Sequence, residues 1–187
     1  MSVGLVGSEM CIRDRAYRQP GSSIKPFIYA HALETKKFLP NTLILDSNIL
    51  LDQGNNLPVW VPQNYSNKSY GELTFRRALE TSNNLVSLKI GLDLGLNSVN
   101  EFLDIINFYN KNIKSDVYST LLGAVENNLL NLAKSYSIFL NGGYIVEPSI
   151  IKKVVSNEGE LIVNNEYFKC NYCSFSIENR SYRTPLI

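Results

Sequence analysis

Charge of one sign is what this sequence lacks most: 18 Lys and Arg against 17 Asp and Glu leave a net charge of +1 over 187 residues. That balance offers no broad electrostatic footprint for nucleic acid or an anionic membrane. Long apolar runs are missing too, and none approaches the roughly 18–20 residues of a membrane span. Met1–Arg15 has no basic leader followed by an apolar block, so it does not read as a signal peptide. Three cysteines and one histidine, His31, are too few for a disulfide framework, or for a four-ligand zinc site without carboxylates. Glu34, Glu72 and Glu80 show no spacing of a carboxylate pair. What is present is 44% hydrophobic and 19% charged, enough for a packed core in one domain or a piece of a larger one. The exclusions leave a globular piece whose chemistry runs on Ser, Lys, Asn or carboxylates.

Met1–Asp14 carries neither a helical nor an alternating pattern, and the character changes at Ala16. Gln19-Pro20-Gly21 reads as a turn, which places Ser22 or Ser23 to cap a helix running to about Lys37 and stopped by Pro40. Pro26 falls in its first turn, where a missing N–H costs little. Asn41–Ser69 is dense in Asn, Pro and Gly and reads as a long surface excursion with little regular structure. Helical periodicity follows at Thr74–Leu79, Leu85–Leu92 and Ser98–Tyr109. A fourth helix, with Leu129, Leu132, Ala133, Tyr136 and Phe139, ends at Asn141-Gly142-Gly143. Tyr144–Val155 and Glu160–Val163 flank the turn Asn157-Glu158-Gly159 and form a hairpin. Tyr167–Ile187 has no period.

Ser22-Ser23-Ile24-Lys25 is a Ser-x-x-Lys at a helix start. Positions i and i+3 share a helical face, so the Lys25 amine is expected within reach of the Ser22 hydroxyl. A desolvated lysine loses its proton more easily and serves as a base towards serine. The helix N-terminus adds N–H groups near developing negative charge. The competing reading is a capping serine with a solvated lysine, and a second copy, Ser149–Lys152, falls in the hairpin with its side chains on opposite faces. Ser82-Asn83-Asn84, between two helices, offers a hydroxyl for proton relay and an amide for a peptide group. Ser98-Val99-Asn100 repeats that pattern inside a helix, so neither short motif is specific alone.

Their surroundings are more telling. Arg18–Phe27, RQPGSSIKPF, resembles the nucleophile motif of class A penicillin-binding proteins, flanks included. Trp60-Val61-Pro62-Gln63-Asn64-Tyr65 is similar to that family's W-x-P-x-N-Y segment, and Tyr70–Leu79 with Ser82 and Asn84 to its second motif. Leu122-Gly123-Ala124 and Tyr136–Gly143, with Pro148, match in order, so the likeness covers about Arg15 to Gly159. It implies an α+β fold of the penicillin-binding, β-lactamase-like serine transpeptidase type, here a helical part plus a β-hairpin with an incomplete sheet. It also implies a transpeptidase acting on peptidoglycan stem peptides ending in D-Ala-D-Ala and acylated by β-lactams. Ser22 is then the nucleophile with its own N–H as half of the oxyanion hole, Lys25 the acylation base, Ser82 the proton relay, and Asn84 the substrate-binding amide. No metal, cofactor or nucleic acid is implied. The parent would be membrane-anchored on the periplasmic face of the inner membrane, and its dimerisation stays open. A serine β-lactamase and a non-catalytic scaffold of the same fold remain as rivals.

Three departures shape the expected organisation. The family's third motif, Lys-Thr/Ser-Gly, is absent: Lys68-Ser69, Lys114-Ser115 and Lys134-Ser135 are not followed by glycine. An anchor and a glycosyltransferase domain are also missing. The opening string MSVGLVGSEMCIRD resembles a translated sequencing-adapter or assembly junction. The expectation is a non-native leader at 1–14, a partial transpeptidase domain at 15–166 and an irregular, truncated tail at 167–187. Genomic reads continuing upstream of Arg15 test the leader. Cys170-Asn171-Tyr172-Cys173 stays open between half a zinc site, a redox pair and an incidental pair. His31 falls in the apolar first helix and reads as a core or surface histidine rather than a ligand.

Overall fold

A helix that is apolar on nearly every side has to be buried on nearly every side, and the first helix of this chain is. The structure, a computed structural model, describes residues 16–52, 58–109, 117–143, 145, 148–149 and 151–164. The expected leader, the irregular tail, Cys11, Cys170, Cys173, Lys114-Ser115 and Tyr144 lie outside the described residues. Helix α1, Lys25–Glu34, buries Phe27, Ile28, Tyr29 and Ala32 together with the Lys25 side chain. Pro26 sits in its first turn, as the sequence suggests. Neither serine caps it, contrary to expectation. A 3-10 turn, Gly21–Ile24, leads into α1, and neither element has a side-chain cap. Both serine hydroxyls are thereby displaced from the capping position. The helix ends at Glu34, short of Lys37, with Lys36 left-handed at φ 59.

Strand β1, Leu43–Asp46, pairs antiparallel with β2, Gly71–Thr74, with Leu43 opposite Thr74 and Asp46 opposite Gly71. Within Asn41–Ser69, read as an excursion with little regular structure, β1 and a backbone bridge between Leu51 and Trp60 are the ordered pairings among the described residues. The alternation in β1 is inverted: Leu43 and Leu45 are exposed while Asp46 is buried. Helix α2, Phe75–Glu80, starts at Thr74, whose side chain accepts from the Arg77 N–H. Helix α3, Asn84–Leu94, packs along α1 and buries Leu85, Val86, Leu88 and Ile90. Gly95, at φ 86, turns the chain into α4, Leu96–Ile105, which starts before and stops short of the expected Ser98–Tyr109. The core is completed by Phe75 tilted against Tyr29, Phe108 edge-on against Phe27, and Leu121. His31 stacks on Phe102 with a ring separation of 4.7 Å and meets Ser98 Oγ at 2.9 Å, so both it and the Ser98 of the repeated motif belong to packing.

The chain divides into two compact units, Met1–Leu129 and Leu130–Ile187. In the second, helix α5, Leu129–Tyr136, runs into a 3-10 turn, Ser137–Phe139, and stops at two glycines of positive φ, as expected. Strands β3, Lys153–Val155, and β4, Leu161–Asn164, form the expected antiparallel hairpin around Gly159. Ser149 and Lys152 precede β3 rather than lying in it, and Ser149 Oγ donates to the Ile151 carbonyl. Among the described residues no helix is long and apolar enough to cross a membrane.

Candidate active site

The turn between α2 and α3 is where the backbone does something unusual. Ser82 N–H bonds the Leu79 carbonyl at 2.9 Å and Asn83 N–H the Ala78 carbonyl at 2.9 Å, the paired bonds that close a helix in a Schellman motif. That motif needs a left-handed residue, ordinarily glycine. Here it is Ser82, at φ 51, a conformation that costs a residue with a Cβ about 1–2 kcal/mol. A side chain kept where glycine would be easier points to a use for its hydroxyl.

That use is visible. The Lys25 Nζ donates to the Ser82 carbonyl at 2.6 Å and to Asn84 Oδ1 at 2.7 Å, and lies 3.0 Å from Ser82 Oγ. The Asn84 amide orientation is fixed because its Nδ2 donates to the Gln63 carbonyl at 2.9 Å. Lys25 and a turn 57–59 residues later, carrying Ser82 and Asn84, therefore meet at one atom. None of the three partners carries a charge. Burial accordingly pushes the Lys25 ammonium down from 10.5 to about 8. The set is satisfied in both protonation states. An ammonium has three N–H donors for three oxygens. A neutral amine has two, for the carbonyl and the amide oxygen, and accepts the Ser82 O–H with its lone pair. Lys25 and Ser82 can thus exchange a proton without any side chain moving.

Ser22 stands exposed in the 3-10 turn one step before Lys25. Ser22 stands within one helical turn of Lys25, but among the described residues the Lys25 amine hydrogen-bonds the Ser82 turn, where a carbonyl and an amide oxygen are better acceptors than a hydroxyl. Backbone donors around the serine are nearly all used. Gly21 N–H bonds the Gly123 carbonyl and Ser23 N–H the Pro20 carbonyl, each at 3.2 Å, which leaves Ser22 N–H without a backbone acceptor among the described residues. An exposed hydroxyl beside a free first-turn N–H suits an attacking oxygen and an oxyanion.

The Ser22 turn is held from outside by a segment the short motifs gave no reason to inspect. Arg18 and Asn127 exchange backbone hydrogen bonds at 2.8 and 2.9 Å. Gly123, left-handed at φ 81, presses on Gly21 so closely that a Cβ there would collide with the Gly21 carbonyl. Glycine is required at 123 by both conformation and space. Its only sequence signal was the Leu122-Gly123-Ala124 match.

Asn84 keeps one N–H and one lone pair beyond its two hydrogen bonds. Asn64, from the W-x-P-x-N-Y stretch, is buried; its Oδ1 accepts from the N–H groups of Asn84 at 2.9 Å and Leu85 at 3.2 Å. Sequence reasoning quoted Asn64 without giving it a task. Among the described residues no cluster of His, Cys, Asp or Glu could hold a metal ion.

Comparison with known proteins gives one consistent picture. The family model described as penicillin binding protein transpeptidase domain matches residues 14–174. Penicillin-binding protein 1A of Rickettsia conorii is 36% identical over 166 residues, which are 88% of this chain and 20% of that protein. The Neisseria flavescens protein of the same name is 38% identical over 148 residues, 79% of this chain and 18% of its own. The crystal structure of penicillin-binding protein 1A from Haemophilus influenzae superposes with a TM-score of 0.75 at 31% identity, over 82% of this chain and 22% of that one. The Mycobacterium tuberculosis PonA1 protein in complex with penicillin V matches at 0.71 and 20% identity, over 81% of this chain and 42% of that one, a likeness of fold. The chain spans about a fifth of the length of the curated relatives it matches.

Proposed function

Because this chain belongs to the penicillin-binding protein transpeptidase family, we propose that it supplies the nucleophile and proton-transfer machinery of a peptidoglycan D,D-transpeptidase. The observation that carries the reading is the buried Lys25 amine joined to Ser82 and Asn84 beside an exposed Ser22. In the proposed reaction the Ser22 hydroxyl turns to the neutral Lys25 amine, taking the lone pair from the Ser82 hydroxyl; Ser22 Oγ attacks the carbonyl of the penultimate D-alanine and its proton passes to that amine. The Ser22 N–H faces the developing oxyanion. As the peptide C–N bond breaks, the proton moves from Lys25 through the Ser82 hydroxyl to the departing D-alanine amine, leaving an ester on Ser22. The acceptor amine of a second stem peptide then cleaves that ester by the reverse proton path. Asn84 holds the substrate peptide group with its remaining N–H and lone pair. A penicillin enters the same way, but its ring nitrogen stays tethered after the amide opens, so the ester persists. The place of work is the periplasmic face of the inner membrane, where the stem peptides are.

A fluorescent penicillin tests the reading on the full-length gene product. One stable adduct per chain is expected, and rapid turnover of the drug would instead indicate a β-lactamase. The 187-residue polypeptide by itself is expected to label at least about 10²–10³-fold more slowly. It holds no Lys-Thr/Ser-Gly string, and losing one oxyanion donor costs that much. Rapid stoichiometric labelling of the 187 residues would contradict this.

Ser82→Gly separates strain from chemistry. The glycine relieves the left-handed backbone and removes the hydroxyl. Its stability is expected to be unchanged or raised by up to about 1 kcal/mol, while acylation falls about 10²–10⁴-fold. Urea midpoints and labelling rates measured side by side give both numbers. Wild-type labelling in Ser82→Gly would remove the relay role.

A further inference from the structure

One buried carboxylate underlies both asparagines that shape the Ser82–Asn84 turn. Asp46 closes β1 with no exposed surface. Asn64 Nδ2 donates to its two oxygens at 2.9 and 3.0 Å, and Asn83 Nδ2 and the Tyr70 N–H each donate to Oδ2 at 2.9 Å. Its main-chain carbonyl accepts from Ser69 Oγ. The Lys89 amine bonds the Leu45 carbonyl and Ser47 Oγ; burial lowers its pKa and the Asp46 charge acts against that. A carboxylate only accepts, so it turns the N–H₂ end of both amides towards itself and both amide oxygens away. Those oxygens meet the first turn of α3: Asn64 Oδ1 takes the N–H of Asn84 and Leu85, and Asn83 Oδ1 the N–H of Val86 at 2.9 Å. Three donors that a helix start leaves without partners are satisfied by two side chains that Asp46 orients, Asn64 together with the Lys68 carbonyl, which its Nδ2 also meets at 2.9 Å.

We infer that Asp46 is the positioning residue of this site: through Asn64 and Asn83 it sets the Ser82–Asn84 turn so that two oxygens of that turn converge on the Lys25 amine. The inference rests on the transpeptidase reading for its catalytic consequence but not for its structural one. Asp46→Asn keeps the size but removes the charge and one acceptor: its single oxygen has to serve Asn64, Asn83 and Tyr70, and its N–H₂ opposes Asn64 Nδ2, so both asparagines are held less firmly. A resulting shift of about 1 Å in the turn is of the kind that costs about 10²-fold when it falls between reacting groups.

The experiment uses the full-length gene product at a temperature where circular dichroism shows every variant folded. Penicillin binding and the acylation step are separated by varying drug concentration, and amide hydrogen exchange is followed at Asn84, Leu85 and Val86. For Asp46→Asn the expected result is a loss of about 10²-fold in the acylation step, an unchanged dissociation constant, and faster exchange at those three amides. Asn83→Ala should also slow acylation, and combining it with Asp46→Asn should add little, because one acts through the other. If Asp46→Asn does not fold, Asn64→Ala and Asn83→Ala carry the same test singly. Wild-type acylation in these variants, or fully additive losses in the pair, overturns the inference while leaving the function intact. Should the unmodified protein take no penicillin, the transpeptidase reading fails. The exchange data then decide alone: unchanged protection at the three amides overturns the positioning role, and faster exchange upholds it.

Discussion

Ser22→Ala is expected to abolish penicillin acylation, and Ser23→Ala to leave it. The two serines are neighbours in one turn, yet only Ser22 combines an exposed hydroxyl, an N–H without a backbone acceptor and a place one helical step before Lys25. Ser23 spends its N–H on the Pro20 carbonyl. Removing the nucleophile of a serine acyl-transfer site costs on the order of 10⁶ in rate, since the remaining groups have nothing to activate. An exposed turn serine contributes little to folding, so the unfolding free energy should change by no more than about 0.5 kcal/mol. Loss of labelling at unchanged stability assigns the effect to chemistry. Equal loss in Ser23→Ala would mean that the turn as a whole, rather than one oxygen, is needed.

The second large effect is at Lys25. Lys25→Met keeps the buried stem and deletes the base, and a drop in acylation of about 10²–10⁴-fold is expected. The unmodified protein should react faster as pH rises through about 8, where the buried amine becomes neutral, and then level off. Lys25→Met should show no such limb. Folding stability carries the same signature. The Lys25 pKa is lowered in the folded state, to about 8 from 10.5, so between those values the unfolded chain binds the extra proton and stability rises with pH. Two buried tyrosines act in the opposite sense. Burial raises Tyr29 to about 12 and Tyr109 further, so above pH 10 the unfolded chain sheds protons that the folded one keeps, and stability falls. The urea midpoint should therefore climb from pH 8 to 10 and decline beyond. Lys25→Met should lose most of the climb, keeping the smaller part from Lys89, whose pKa burial also lowers, and keep the decline. A climb of the same size in Lys25→Met would show that another group titrates there.

What could be read from the sequence follows from how local each signal is. Helices α1 and α3 announce themselves by apolar density, and the two-glycine stop after α5 and the hairpin at Gly159 are short-range features. Strand β1 does not, because its partner is a full excursion away, with Leu43 opposite Thr74, and because its inward face carries Asp46 while two leucines point to water. The same inversion hid Asp46, whose role comes from burial among amide donors. Ser82 escaped as a helix stop because the glycine that ordinarily marks a left-handed position is missing, for the reason that makes the residue interesting. Helical spacing suggested that Lys25 would face Ser22. It could not reveal that a turn 57 residues later offers stronger acceptors.

Mass mapping of the acylated residue tests the central claim most directly. The full-length gene product is treated with a penicillin and digested, and fragment spectra divide Ser22 from Ser23. The account predicts one penicillin mass on Ser22 and none on Ser23, Ser82 or any lysine. An adduct on another residue, or none at all, would contradict the assignment of Ser22 as the nucleophile.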